Sequence, residues 1–376
     1  MDKISGVSED ELLLKILSFL PTKVAVSTSV LSKQWKYLWK RVLKLQYDDT
    51  ECKTKPSKSR KRFRRFVKRN LQIDRESNLE SLSLKLSTAP FQCEDIKSWV
   101  GFAVSRGVRQ LSVAYSSDRV WRRAVLPIHL YTCKSLVSLK LEEDISLCIP
   151  ECIPRTVFLP SLKTLQLQSV NYYYNQDPLR RFLSNCPVLE NLTLKHINNK
   201  RCDSKQKFSV KFSVIVRSLQ SLSLEIDDVT DFDGYVIDTP SLRYLKLKDH
   251  DNRPSCSIEN MPKLEQAYID VAFPNATKLL EPIASIKCLS LCLKVNRVED
   301  VYTDGIVFNQ LEHLKLCTCN TYWSKLLVQL LENAPKLQVL ELYVNEHSPI
   351  SRTPMVYWKN QLSCVPQCFV TSLETF

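Results

Sequence analysis

Glycine is nearly missing from this chain, with five among 376 residues. That scarcity argues against Gly-rich phosphate loops and against a loop-rich architecture. Long apolar runs are missing as well. Lys, Arg or Pro interrupts each within a few residues, far short of the roughly 20 needed to cross a bilayer, so no membrane segment is expected. The first residues include Asp2, Glu9, Asp10 and Glu11 rather than a basic stretch ahead of an apolar one. No secretory signal is read there, and the nucleus or cytoplasm is the expected location. Histidine is sparse: His129, His196, His250, His313 and His347 lie far apart, and no Gly-x-Ser-x-Gly, Gly-Lys-Ser/Thr or His-Glu-x-x-His motif occurs. Neither catalysis nor a cofactor is expected on that basis.

Fourteen cysteines stand in contrast to these scarcities, but they are scattered through a long chain, which favours reduced thiols over a secreted disulfide scaffold. Cys148 and Cys152, Cys288 and Cys292, and Cys364 and Cys368 are spaced by four, and Cys317 and Cys319 by two. None forms the paired CxxC with nearby His that zinc requires, so no metal site is expected. Cys288 and Cys319 are expected to pack as small hydrophobes.

What the chain does have is a recurring Leu-x-x-Leu-x-Leu. Clear copies begin at Leu79, Leu136, Leu162, Leu189, Leu219, Leu242, Leu311 and Leu337, and looser ones at Val108, Leu264 and Ile286. The interval of roughly 22 to 30 residues is that of a stacked solenoid of strand-containing repeats. Alternate strand residues point to one side, so the fourth and sixth positions enter a core while the third, fifth and seventh face away. Stacked repeats pair such strands into a parallel sheet and join their leucines into one core. With 44% hydrophobic residues the chain is long enough to bury one of good size. Amphipathic patterns at Tyr322 to Glu332, Leu179 to Leu183 and Ile96 to Val104 predict helices on the return path, the first two ended by Asn and Pro.

The first 45 residues break this pattern and predict three short helices. Ser8 with Glu11 forms a capping box ahead of Leu12, Leu13, Ile16, Leu17 and Leu20, and Pro21 stops that helix. Thr22 is expected to cap a second and Ser32 a third carrying Trp35, Leu38 and Trp39. So small a bundle with exposed leucines and tryptophans needs a partner to cover it.

From Lys53 to Arg69 ten residues are basic and none acidic, against a net charge of +13 for the whole chain. Phe63, Phe66, Val67 and Leu71 recur there at helical spacing, so Arg62 to Leu71 is read as an entry helix capping the solenoid, arginines outward. A nuclear-import signal at Lys58 to Arg65 is the second reading, and a phosphate-binding patch the third. Nucleic acid is therefore not the favoured partner.

The run of Asp2 to Ser5, Glu11 to Leu20, Pro21 to Lys23, Ala25, Val26, Thr28, Ser29, Leu31 to Lys33, Trp35, Leu38 and Trp39 resembles an F-box. Joined to Leu-rich repeats from Leu79 to Tyr343, it is similar to plant F-box, leucine-rich-repeat and FBD proteins. Trp358, Val365, Pro366, Cys368 and Ser372 to Phe376 look like the opening of an FBD, with Leu373 and Phe376 starting a further strand. The resemblance implies an α/β chain: a short three-helix F-box at 1–47, a basic linker and capping helix at 48–75, an irregular right-handed leucine-rich-repeat solenoid with a parallel sheet on its concave face at 76–345, and a partial FBD-like segment at 346–376. It further implies a non-catalytic substrate receptor of a ubiquitin ligase, docked on a Skp-type adaptor and through it on a cullin and RING ligase, with an unidentified protein as substrate. Ile16, Leu17, Leu20, Pro21, Val26, Leu31, Trp35 and Trp39 match the adaptor contacts, and about half of them are expected to serve the bundle's own core.

Val7 and Ser8 stand where the family usually has Leu-Pro, and Gln34 where it often has Arg. The first two changes subtract docking area, about 0.8 kcal/mol for the lost methylene alone. A ligase-independent scaffold with a degraded F-box is therefore the alternative. On the sheet, the outward positions Lys140, Gln166, Lys195, Tyr244, Lys246, Lys248, His313, Lys315 and Tyr343 are the candidate substrate contacts. Lys195, Lys246 and Lys248 are expected to make the middle of the sheet face basic, favouring an acidic or phosphorylated partner.

Overall fold

A computed structural model describes residues 9–50, 56–73, 78–86, 91, 93–117, 123–147, 158–172, 178–195, 211–226, 234–251, 256–272, 276–294, 305–319, 322–344 and 366–375. The chain divides into two compact units, Met1–Asn171 and Tyr172–Phe376. Among the described residues no helix is long and apolar enough to cross a membrane.

The first unit opens with α1 (Glu9–Ser18), α2 (Thr22–Ser27), a 3-10 turn at Thr28–Val30 and α3 (Trp35–Leu38). They close around Leu17, Ala25, Leu38 and Val42. Ser32 Oγ accepts from the Trp35 amide at 3.4 Å, the expected cap. Thr22 does otherwise: Pro21 holds the cap position of α2, and Thr22 Oγ1 accepts from the Gln46 amide at 2.8 Å, tying the bundle to the first strand. Ser8, Val7 and most of the expected capping box lie outside the described residues.

Strands Lys44–Asp48, Ser81–Leu86, Gln110–Tyr115, Ser138–Glu143 and Thr164–Gln168 pair in that order, all parallel. Leu45, Leu82, Leu111, Leu139 and Leu165 share one register row, and Tyr47, Leu84, Val113, Leu141 and Leu167 another. No member of either row is more than 2% exposed. Each pattern thus places its fourth and sixth residues on the core side, as the strand period requires.

The ladder starts one repeat earlier than the expected boundary at 76. Val42, Leu45 and Tyr47 are a copy of the pattern with tyrosine in the last place, and their strand pairs with Ser81–Leu86. The basic helix is corrected with it. α4 (Pro56–Leu71) lies in sequence between those two strands and is the crossover of the first repeat, not a cap ahead of it. It buries Phe63, Val67 and Leu71, while Lys61, Arg62, Arg65, Lys68 and Arg69 face solvent. Its neighbour α5 (Cys93–Ser105) buries Ile96, Trp99 and Val100. The rings of Phe63, Phe91 and Trp99 stand in file, with centroids 5.6 and 5.8 Å apart, spacings that favour tilted and edge-on contacts. Gly107, at φ 63°, ends α5, and a Cβ there would sit 3.3 Å from the Asn78 side chain. The sparse glycine is kept where a left-handed turn requires it.

The second unit repeats the plan. Strands Asn191–Lys195, Ser221–Ile226, Tyr244–Asp249, Gln266–Ala272, Cys288–Lys294, His313–Cys317 and Val339–Tyr343 pair in order, all parallel. Its helices are α6 (Pro178–Leu183), α7 (Ala276–Leu280), α8 (Trp323–Glu332) and α9 (Gln367–Thr371). α8 buries Leu326, Leu327, Leu330 and Leu331, the stripe its sequence pattern marks. Other crossovers carry short parallel strands, at Lys211–Ile215, Gly234–Asp238 and Ser257–Ile258. Short parallel strands also occur in the first unit at Ala124–Val125 and Ile145–Leu147, the former followed by a 3-10 turn at Ile128–Thr132.

Successive repeats are tied by serine side chains. Ser218 Oγ donates to Leu189 O at 2.8 Å and Ser285 Oγ to Met261 O at 3.2 Å, and in the first unit Ser135 Oγ donates to Val108 O at 3.0 Å. Ser372 makes the equivalent bond to Leu337 O at 2.9 Å, and Thr375 bridges Val339 in parallel. A further rung thus begins at Leu373. Asp144, three places after Leu141, serves the turn that follows its strand: Oδ2 accepts from the Ser117 amide at 2.8 Å.

Candidate docking and recognition surfaces

Two kinds of surface stand out, the outside of the three-helix bundle in the first unit and the outward sheet face of each unit. α1 is apolar on two faces, and the structure separates them. Leu17 is 0% exposed at the centre of the bundle core, whereas Ile16 beside it is 51% exposed. Leu17 therefore leaves the set of adaptor contacts: a fully enclosed side chain has no surface to offer. Leu20, Trp35 and Trp39 are half-buried against the same core, and Pro21 and Val26 are half-buried too. Leu31 remains open at 66%. The sequence reading missed Phe19 and Val30, which are 75% and 86% exposed, together with the less open Leu12, Val24 and Tyr37. Exposed apolar side chains in such number on so small a bundle mark an interaction surface. The missing signal was the surplus itself, since α1 has more apolar positions than a one-sided helix needs.

Polar contacts frame this surface. Gln34, which stands where an Arg is common, donates its amide to Asp10 Oδ1 at 3.0 Å, and Arg41 reaches the other oxygen of Asp10 at 3.5 Å. Lys36 and Lys40 lie over the Tyr37 ring at 5.3 and 5.2 Å, within cation–π range.

The second surface is the outward face of the sheet. In the first unit Lys140 is half-buried and paired to Glu142 at 2.9 Å, and Gln166 lies beside it in register. The other candidates lie in the second unit, and there the expected basic character is corrected. Lys195, Glu225, Lys248 and Asp270 occupy one register row, so signs alternate. Lys248 Nζ is 3.6 Å from Glu225, and His250 Nε2 is 3.1 Å from the buried Asp270. Lys315 is neutralised by Glu341 at 2.8 Å and lies over the Tyr343 ring at 5.4 Å. Lys246 stacks over the Tyr268 ring at 5.7 Å.

Toward the C-terminal ends of these strands the outward row sinks. Cys292 and Cys317 occupy outward positions yet are buried. A hydrogen bond to Cys317 and burial hold the Cys292 thiol far above its ordinary value, and burial pushes the Tyr268 and Tyr343 phenols up. The Cys292 thiol and both phenols are thereby kept in their neutral forms. Among the described residues no cluster of His, Cys, Asp or Glu could hold a metal. Cys288 is corrected: it faces outward, half-exposed, as its third position in the repeat dictates.

A recess of about 270 Å³ opens on this face, with Tyr244, Tyr268, Cys288, Ser290, His313 and Lys315 among its walls. It brings together three of the predicted contacts, Tyr244, His313 and Lys315. It also adds Gln266, Tyr268 and Ser290, which the sequence reading passed over because they belong to the looser repeats at Leu264 and Ile286, and Glu341 from the clear repeat at Leu337.

The F-box family model matches residues 10–47, and the model described as FBD-associated F-box protein At5g56370, LRR repeats, matches residues 96–279. Over its whole length this chain is 45% identical to the FBD-associated F-box protein At4g10400 of Arabidopsis thaliana, covering 85% of it. It is also 43% identical to the FBD-associated F-box protein At5g60610 of the same plant, covering 92%. The chain belongs to the FBD-associated F-box and leucine-rich-repeat family. The matched F-box ends at residue 47, within the first strand of the ladder, so in this family member F-box and repeats share a strand. The crystal structure of the yeast Rad7 and Elc1 complex aligns with 93% of this chain and 98% of that one, at 14% identity and a TM-score of 0.29, a likeness that carries no argument.

Proposed function

We propose that this F-box and leucine-rich-repeat protein is the substrate-recognition subunit of a Skp, cullin and F-box ubiquitin ligase. The observation that carries the reading is the open apolar surface of the bundle, formed by Ile16, Phe19, Val30 and Leu31 outside a core already complete without them. A Skp-type adaptor is the partner that covers it, and through the adaptor the chain joins a cullin and RING assembly. The outward sheet face, Lys140 and Gln166 in the first unit and Lys195 to Tyr343 in the second, holds the protein substrate. The chain performs no chemistry in this reading. It raises the concentration of its client near a ubiquitin-charged enzyme.

The test is capture of the tagged full chain from plant cells with the proteasome inhibited. Cullin and RING subunits should be recovered with the native chain and lost with Leu31→Asp, while client proteins accumulate only under inhibition. Recovery of clients without cullin, indifferent to inhibition, would instead identify a ligase-independent scaffold.

A further inference from the structure

The recess on the sheet of the second unit has a simple cause. On the strand Cys288–Lys294 the outward positions Cys288 and Ser290 are small, while Gln266 and Tyr268 on one neighbour and His313 and Lys315 on the other are large. The hollow is centred on this strand and reaches the strands beyond its neighbours, where Tyr244, Val339 and Glu341 also line it. Its volume of about 270 Å³ lies just below the roughly 300 to 1,000 Å³ of pockets that enclose a whole small ligand. A single side chain of a partner fits that scale better than a cofactor does.

The walls specify which side chain. Tyr244 and Tyr268 offer aromatic surface, and rings pair with rings in offset or edge-on geometry. A cation is disfavoured as the occupant, because Lys246 and Lys315 already lie over the Tyr268 and Tyr343 rings. Lys315 has Glu341 as its counter-charge, whereas among the described residues no carboxylate pairs with Lys246. A partner's acid beside the inserted ring would supply one. The Ser290 hydroxyl is buried beside the Tyr343 hydroxyl, its hydrogen-bond neighbour, so the walls select a ring without distinguishing tyrosine from phenylalanine.

We infer that this recess receives an aromatic residue of the client, with an Asp or Glu one or two positions away. The inference rests on the reading that the sheet face holds the substrate, and names the chemistry that face selects.

A random peptide library displayed on phage and panned against the full chain tests it. Enriched peptides should carry an aromatic residue next to an acidic one. Ser290→Leu, which fills the recess from an outward position, should weaken synthetic copies of those peptides tenfold or more. Cys288→Leu fills it independently, should Ser290→Leu not fold. Lys246→Ala should abolish the preference for the acid and leave that for the ring. Enriched peptides without an aromatic residue, no enrichment at all, or peptides indifferent to both filling variants would overturn the inference. If the selected peptides respond to Lys195→Ala or Lys248→Ala but not to the filling variants, the recess falls and the sheet reading survives. If they respond to no sheet substitution, both fall.

Discussion

Ile16 and Leu17 are adjacent, similar in size and both apolar, yet the structure assigns them opposite duties, and that contrast is measurable. Leu17 is wholly enclosed by Ala25, Leu38 and Val42. Leu17→Ala should cost about 2–5 kcal/mol, the range for emptying a core leucine site. For a unit of this size that is roughly 5–15 °C of melting temperature. Ile16→Ala removes three carbons from a side chain about half exposed. At about 0.8 kcal/mol per methylene, the open half adds about 1.2 kcal/mol to adaptor binding, or roughly eightfold in Kd, and the covered half costs stability about the same amount, below the range for Leu17→Ala. Circular dichroism melts and calorimetric titration with a Skp-type adaptor read the two effects separately. Equal loss of stability in both variants, or a Leu17→Ala chain that melts as the native one does, would refute the division of α1 into a core face and a docking face.

Three further outcomes follow from particular groups. The Cys186 thiol, pushed up to about 12 by burial, and the buried Cys292 and Cys317 should resist thiol reagents in the folded chain and react on unfolding. A native chain that titrates all nine described cysteines at once would contradict the packing. On α4, Arg65 stands between Lys61 and Arg69 at four-residue spacing. Arg65→Glu should therefore raise stability by a few tenths of a kcal/mol through its new neighbours, and a loss above about 1 kcal/mol would show that this solvent face has a structural role. Asp48, despite burial that opposes ionisation, is held below its ordinary carboxyl range by hydrogen bonds from Thr50 and by the Lys85 charge. Its folded value is lowered, so its contribution is complete above about pH 4 and lost as pH falls through that lower value. Asp48→Asn should flatten the acid limb of the stability profile, and an unchanged limb would remove Asp48 from the account.

Eleven strands could be read from the sequence because a repeat checks itself: each Leu-x-x-Leu-x-Leu reinforces its neighbours, and even the looser copies at Val108, Leu264 and Ile286 keep register. Val42, Leu45 and Tyr47 escaped because a tyrosine ends the pattern and the copy overlaps the helical module. The basic helix was misplaced for the same reason, since without that first strand it reads as a cap. Leu17 stood among the adaptor contacts because a match to the family's positions does not tell which half of the set serves the bundle's own core. Lys195, Lys246 and Lys248 looked like a basic patch until pairing brought Glu225 between two of them, a fact of register across repeats. The recess was invisible for a similar reason. It exists only in the difference in size between Cys288 and Ser290 and the residues on adjacent strands.

The central claim, an F-box presented to a ligase adaptor, is tested most directly by calorimetric titration of the full chain with a recombinant Skp-type adaptor, alongside a Val30→Asp, Leu31→Asp double variant. The account predicts one-to-one binding with Kd on the order of 1 µM or tighter, weakened at least tenfold in the double variant without a change in melting temperature. A folded native chain that shows no binding at about 50 µM adaptor, or a double variant that binds as tightly as the native chain, would contradict it.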